Sequence, residues 1–306
     1  METTFKFFLR ITLYVVVLLS VSFSFQRCSQ CSHKPTTDDD AIDTTGKPTV
    51  SDGTVAEIIS SVQNPVEMSS LLQKSGVIFA QDLLNKTENN SKYTTNFKKA
   101  LNLGVYGTDL VHMNIYGKTV SSLLYLKNIQ DLANDLKIGQ FFDYETLNRL
   151  SQNDKNTDSV LYITSSGFDK MSNFLIQEKR SNIAVLISYG TWMETLYLAT
   201  NIEKVSNKQA VYERIGFQKK VMDNIVLLLK NYENLADYKE IYADALVLKK
   251  EFDKVTISYN YQPPTTKEVN GSLVIVDNST SIININEEII ENIKKQVKII
   301  RDKIVS

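Results

Sequence analysis

The chain has 306 residues, 42% of them apolar and 23% charged, with acids and bases interspersed to a formal net charge of -1. That length buries a substantial core in one large domain or two small ones, and a nearly neutral chain offers no attraction to a polyanion, which sets nucleic acid aside as a partner. Only two histidines are present, so His-based metal sites and catalytic triads would have to draw on Asp and Glu; the sequence implies no metal and no cofactor.

Residues 1–27 read as a signal peptide or membrane anchor. Lys6 and Arg10 lead into ITLYVVVLLSVSFSF, an uncharged apolar run of signal-peptide length that falls short of the roughly 20 residues needed to cross a bilayer comfortably. Adding the upstream FKFF lengthens the run, so a retained anchor stands beside a cleaved signal. Both cysteines of the chain, Cys28 and Cys31, follow directly in QRCSQCSHKPTTDDD. Cysteine placed only there points to a lipid anchor on Cys28 or Cys31, because a bacterial lipoprotein keeps its acylated Cys as the first mature residue. Phe25, Gln26 and Arg27 depart from the usual Leu and small residues before that Cys, and a CSQC disulfide or two free thiols are the alternatives. A redox CxxC needs a following helix to lower its thiol pKa, and a zinc site would find only His33 nearby. Residues 28–53, rich in Thr, Asp, Ser, Pro and Gly, cannot bury enough apolar surface to fold and read as a polar stalk.

The helical domain is expected over 54–306, with a small β element near 255–285. Its first helices are VAEIISSV and NPVEMSSLLQKSGVIFAQDLLN, with Asn64 as N-cap and Pro65 at the first helical position. After the polar break KTENNSKYTTN, apolar residues recur at three- and four-residue steps over 97–116 and 118–138, an αα-hairpin divided at Gly117. A short helix follows with Asp143 as N-cap, and then SVLYITSSGFDKMSNFLIQEKR. NIAVLISYGTWMETLYLATNIEKV is apolar on more than one side and is expected to be the most buried helix. KQAVYERIGFQKKVMDNIVLLLKNY and LADYKEIYADALVLKKEFDKV are amphipathic partners. VTISYNYQ alternates as a strand, PPTTKEVNG reads as a turn-rich break, and SLVIVDNSTSIININ offers one or two more strands with a turn at DNS. Asn286 then opens a last helix with Glu287 and Glu288 in its first turn, as the helix dipole favours. The fold class is therefore mainly α: a multi-helix bundle of αα-hairpins with a small C-terminal β-hairpin or three-stranded sheet and a closing helix.

One internal echo stands out: YGTDLVHMNIYG at 106–117 against YGTWMETLYLAT at 189–200. A glycine inside a helix costs about 1 kcal/mol relative to Ala, so Gly104, Gly107 and Gly190 are expected to buy close approach of neighbouring helices, with Tyr106 and Tyr189 beside the contact. Asp109, His112 and Tyr116 fall on one helical face. They read either as polar anchors of a ligand pocket or as an interior cluster that satisfies a buried carboxylate. Trp192, the one tryptophan, is a core anchor or a stacking surface for the same ligand. Carboxylate pairs such as Asp143 with Glu145 are accounted for by helix N-termini. The sequons at Asn85, Asn89, Asn270 and Asn278 matter only in a eukaryotic secretory host. No P-loop, GxSxG or GxGxxG followed by a strand-helix unit occurs.

LNLGVYGTDLVHMNIYG, the following YLKNIQDLANDLKIGQFFD and the segment ending IIRDKIVS resemble a group of exported, mostly helical cell-envelope proteins of Bacteroidota, many of them assigned as lipoproteins. The likeness covers roughly 97–306. It implies an envelope location and a helical fold, and it carries no activity or site residue. The expected function is non-enzymatic: an exported envelope protein facing the periplasm or held on the outer membrane, tethered through its N-terminal segment or a lipid, and binding an envelope protein or a small molecule. A helical-repeat scaffold and an enzyme using Asp109 and His112 are the alternatives.

Overall fold

In a computed structural model, the structure describes residues 50–62, 65–142, 157–202, 206–269, 272–276 and 278–306. The described residues contain nine α-helices and four short strands. The helices are α1 (Asp52–Ser61), α2 (Pro65–Lys74), α3 (Asn96–Ile115), α4 (Thr119–Asp135), α5 (Thr157–Gln177), α6 (Ser181–Thr200), α7 (Lys208–Lys230), α8 (Ala236–Asp253) and α9 (Glu287–Ile304). The strands are β1 (Thr256–Asn260), β2 (Thr265–Val269), β3 (Ser272–Val276) and β4 (Thr280–Asn284). The segments of 1–49, the expected cap Asn64 and the short helix expected after Asp143 lie outside the described residues. No helix of the described residues is long and apolar enough to cross a membrane.

The two echoing helices form the centre. All residues of α6 except Thr191 are buried, as its apolar circumference requires, and α3 buries fifteen residues from Ala100 to Ile115, leaving only Asn114 of that stretch half-exposed. They cross so closely that a Cβ on Gly190 would lie 2.0 Å from the Leu101 carbonyl oxygen, and one on Gly104 would lie 2.1 Å from that of Ile187. Backbone meets backbone, and glycine is what the crossing demands. Thr108 Oγ1 donates to the carbonyl of Gly104 (3.1 Å) and to that of Thr191 (3.2 Å), while Thr191 Oγ1 donates to the Gly104 carbonyl (3.4 Å). The two YGT segments thus touch through their threonines. Tyr106 and Tyr189 are fully buried beside the crossing.

Capping follows the sequence. Thr95 accepts from the Lys98 N–H, Asn207 from Ala210 and Asn286 from Ile289, each offering a side-chain oxygen to an orphan donor of the first turn. Gly76 and Gly117 sit at φ 82° and 67° just past α2 and α3, the left-handed conformation that ends helices. Gly76 also corrects an expectation: α2 stops at Lys74, and VIFA runs on in non-helical form before a 3-10 turn at Gln81–Leu83. The apolar content of that stretch packs it against the core through Val77, Phe79 and Leu83 without the helix that its composition suggested.

The β element is two two-stranded antiparallel ladders, a finding that replaces the single hairpin or three-stranded sheet. β1 pairs with β4 from Thr256↔Asn284 to Asn260↔Thr280, and β2 pairs with β3 from Thr265↔Val276 to Val269↔Ser272. Because β2 and β3 fall between β1 and β4 in sequence, the ladders are nested. Pro263 and Pro264, which lack an N–H for a ladder, separate β1 from β2. Asn278 and Ser279, expected in a turn, bridge to that break: Asn278 Nδ2 donates to the Pro263 carbonyl (2.8 Å), and the Gln262 N–H donates to Ser279 Oγ (3.2 Å). Ile257 and Ile283 dock the first ladder on the core. The sequence of β2 reads as a turn because TTKE is exposed and carries no apolar alternation for a period to reveal.

Candidate ligand cleft and buried ion cluster

The structure divides the residues that the sequence placed on one face. Asp109 is fully buried, and its Oδ2 accepts from the Asn85 N–H at 3.0 Å. Its other oxygen, Oδ1, is buried without a hydrogen-bond partner, and the fully buried Glu194 carboxyl of α6 is near enough to act on its charge. Burial first, and the neighbouring Glu194 charge second, push the Asp109 pKa well above the usual carboxylate range. Glu194 holds a bidentate ion pair with Arg301 of α9, Nε to Oε2 at 3.0 Å and Nη2 to Oε1 at 3.1 Å. Arg301 Nη2 also donates to the Leu83 carbonyl (3.1 Å), and its guanidinium lies 4.5 Å from the Tyr197 ring centre. Asp109 is therefore the carboxyl that keeps its proton; burial also pushes the Glu194 pKa up, with the paired Arg301 guanidinium opposing that shift.

His112 belongs to another neighbourhood. Its Nδ1 lies 3.2 Å from Ser69 Oγ, and its ring packs on Phe79 (5.8 Å between centres) and Tyr116 (4.7 Å). Burial alone pushes its pKa down to about 4, so the ring is neutral at physiological pH. Tyr116 follows the end of α3; its hydroxyl donates to the Val77 carbonyl (3.0 Å), and burial raises its pKa to about 12. Trp192 Nε1 donates to Gln218 Oε1 on α7 (3.0 Å) inside the core. The Tyr116 hydroxyl and the Trp192 indole N–H are thus met by protein groups, whereas Asp109 Oδ1 is not. Cys28 and Cys31 lie outside the described residues. Among the described residues no group of three or more His, Cys, Asp or Glu is gathered to hold a metal.

A cavity opens instead beside Gly107, with a volume of about 420 Å³. Its walls come from the end of α1 (Ile59 to Ser61, with Val62 just past it), α2 (Pro65, Glu67), α3 (Gly107, Thr108, Val111), α5 (Phe168, Ser172), α6 (Ile187, Ser188, Thr191) and α7 (Phe217, Val221). Gly107 shapes it: a Cβ there would lie 2.5 Å from Phe168 Cζ and push the ring aside. Charge sits at the rim, where Arg214 Nη2 pairs with Glu67 Oε2 at 2.6 Å and Asp169 is exposed. The interior offers hydroxyls and apolar surface. Since Thr108 and Thr191 already donate to backbone carbonyls, their oxygens are left as acceptors. Such a lining suits a small neutral molecule with N–H or O–H donors and an apolar body. Sequence reasoning missed this cleft; the helix-interior cost of Gly107 was the one signal of it.

No protein-family model matches the chain, and no curated protein or solved structure shows a significant match to it.

Proposed function

We propose that this chain is a non-enzymatic binding protein of a cell envelope, exported or anchored by residues 1–27, held on a stalk that begins at 28 and ends before the folded body, which takes in Val50 and α1 from Asp52, and taking a small neutral ligand into the cleft beside Gly107. The observation that carries the reading is the cavity of about 420 Å³ walled by six helices, the size and mixed lining of a small-molecule site. The envelope part rests on the order of segments: an apolar run behind Lys6 and Arg10, both cysteines at 28 and 31, then a polar stretch before the folded body. The resemblance to Bacteroidota envelope proteins agrees with it.

Two measurements test the two parts separately. An intact mass of the mature N-terminus from fractionated envelopes should show either acylation at Cys28 or Cys31 or a cleaved signal; an unprocessed chain recovered from the cytoplasm would reject export. For the cleft, native mass spectrometry and thermal-shift screening should find a small molecule that raises the melting temperature of the wild-type chain. The variant Ser172→Trp, whose ring would occupy the cavity, should lose that shift while melting as the wild type does alone. Equal shifts in both would place the ligand elsewhere.

A further inference from the structure

Buried hydroxyls on the central helices bond back into their own helix: Thr108 Oγ1 to the Gly104 carbonyl (3.1 Å), Thr195 Oγ1 to that of Thr191 (2.7 Å) and Thr200 Oγ1 to that of Leu196 (2.8 Å). Ser188, on the buried helix α6, does otherwise. It is 9% exposed, and Ala184 stands four residues back with its carbonyl, yet the Ser188 hydroxyl has no hydrogen-bond partner among the described residues. Its side chain lines the cavity beside Gly107. A polar group so far buried is ordinarily satisfied, so this donor is available to an occupant of the cavity. Thr191 lies three residues along the same helix, which puts the two side chains on one face with their Cβ atoms about 5–6 Å apart. It lines the same cavity and is the one residue of α6 that is not buried. Its Oγ1 donates to the Gly104 carbonyl (3.4 Å), so toward the cavity it offers a lone pair. A donor and an acceptor thus stand side by side on one wall.

We infer, resting on the reading of this cleft as a small-molecule site, that its occupant is a primary amide or a lactam held edge-on by Ser188 and Thr191. In these groups the carbonyl oxygen and an N–H share one edge and point the same way. The oxygen accepts from the Ser188 hydroxyl while the N–H donates to Thr191 Oγ1. The trans geometry of an open-chain secondary amide turns the two in opposite directions, and only one of them can be met. A carboxylate brings two acceptors to that edge and would set one against the Thr191 lone pair; at the rim, Arg214 is already paired with Glu67. The apolar body of the molecule meets Val111, Phe168, Phe217 and Val221. Since the Ser188 hydroxyl has no protein partner to strand, its removal leaves the fold as stable as before, which separates a ligand role from a structural one.

The probes are benzamide, N-methylbenzamide and α-methylstyrene, a hydrocarbon of the benzamide shape, titrated against the full chain in mild detergent by ligand-observed NMR. Benzamide should bind more tightly than N-methylbenzamide, whose methyl group replaces the N–H on the carbonyl's edge. Ser188→Ala should weaken benzamide about tenfold, the worth of one hydrogen bond at the upper end, while leaving α-methylstyrene and the melting temperature unchanged. Thr191→Val should erase the preference between the two amides. Equal binding of the two amides by the wild type overturns the proposal, as does benzamide affinity indifferent to Ser188→Ala, or a melting temperature lowered in that variant. A wild type that does not bind benzamide overturns it as well, the cleft itself then standing or falling by the ligand screen. Ser172→Trp tells the two failures apart. Benzamide lost in Ser172→Trp but indifferent to Ser188→Ala leaves the cleft a ligand site and removes only the amide assignment, whereas benzamide binding that survives Ser172→Trp lies outside the cleft and removes both.

Discussion

Asp109 and His112 are three residues apart on α3 and respond to pH in opposite senses, which makes each testable alone. A buried carboxyl held protonated by desolvation and by Glu194 gives up stability as pH rises above its unfolded pKa of about 3.8, because the unfolded chain ionises there and the folded one does not. Asp109→Asn keeps an acceptor for the Asn85 N–H and removes the group that ionises in the unfolded chain, so it should melt at or above the wild-type temperature at pH 7 in calorimetry. Asp109→Ala, which leaves the Asn85 N–H and a cavity, should lose about 2–4 kcal/mol. For His112 the folded pKa of about 4 lies below the unfolded value of 6.5. The unfolded chain therefore binds the extra proton between those values, so the stability contribution is complete above pH 6.5 and is lost as pH falls toward 4. The shift corresponds to on the order of 3 kcal/mol. Urea midpoints should fall with pH across that window, and His112→Leu should flatten the fall; an unchanged slope would mean that His112 is open to solvent in the folded chain.

The elements show which signals a sequence carries. The long helices were legible because their burial has a single period, as in α7 and α9, and α6 because it has almost no polar face. The α3–α6 crossing was legible through the cost of its glycines. It was not legible that Gly107 and Gly190, equivalent in the YGT echo, face different materials: Gly190 meets the Leu101 backbone, whereas Gly107 meets the end of the Phe168 ring. A backbone cannot step aside, but a ring can turn. Gly190→Ala should therefore destabilise by about 3 kcal/mol or more, against about 1 kcal/mol for Gly107→Ala, with melting temperatures as the readout. Gly107→Ala should show its larger effect on ligand binding, because the displaced Phe168 lines the cleft. Equal losses of stability in the two variants would contradict the crossing geometry. Strand β2 and the cleft itself escaped sequence reasoning for a common reason. An exposed strand has no apolar period, and a cavity walled by six helices has no local sequence of its own.

At the scale of the whole molecule, the buried ion cluster ties the end of the chain to its centre. Arg301 reaches from α9 to Glu194 on α6 and to the Leu83 carbonyl, and Asn102 on α3 donates to the Ile304 carbonyl at 2.8 Å. These partners are 107, 218 and 202 residues apart, so no local pattern announces them; Arg301 reads in sequence as one more basic residue of a last turn. Taking a charge pair out of water costs about as much as its attraction returns, but removing one partner strands the other. Arg301→Met should therefore lower stability by about 3–5 kcal/mol through the unpaired Glu194. Adding Glu194→Gln removes that charge, so the double variant should recover a large part of the loss, and the Asp109 carboxyl, freed from its charged neighbour, should lose part of its upward shift. Chemical denaturation of the four members of this cycle measures the coupling directly. Additive losses would show that the pair stabilises the fold through packing of the Arg301 side chain on Tyr197, with the ionic contact contributing nothing of its own.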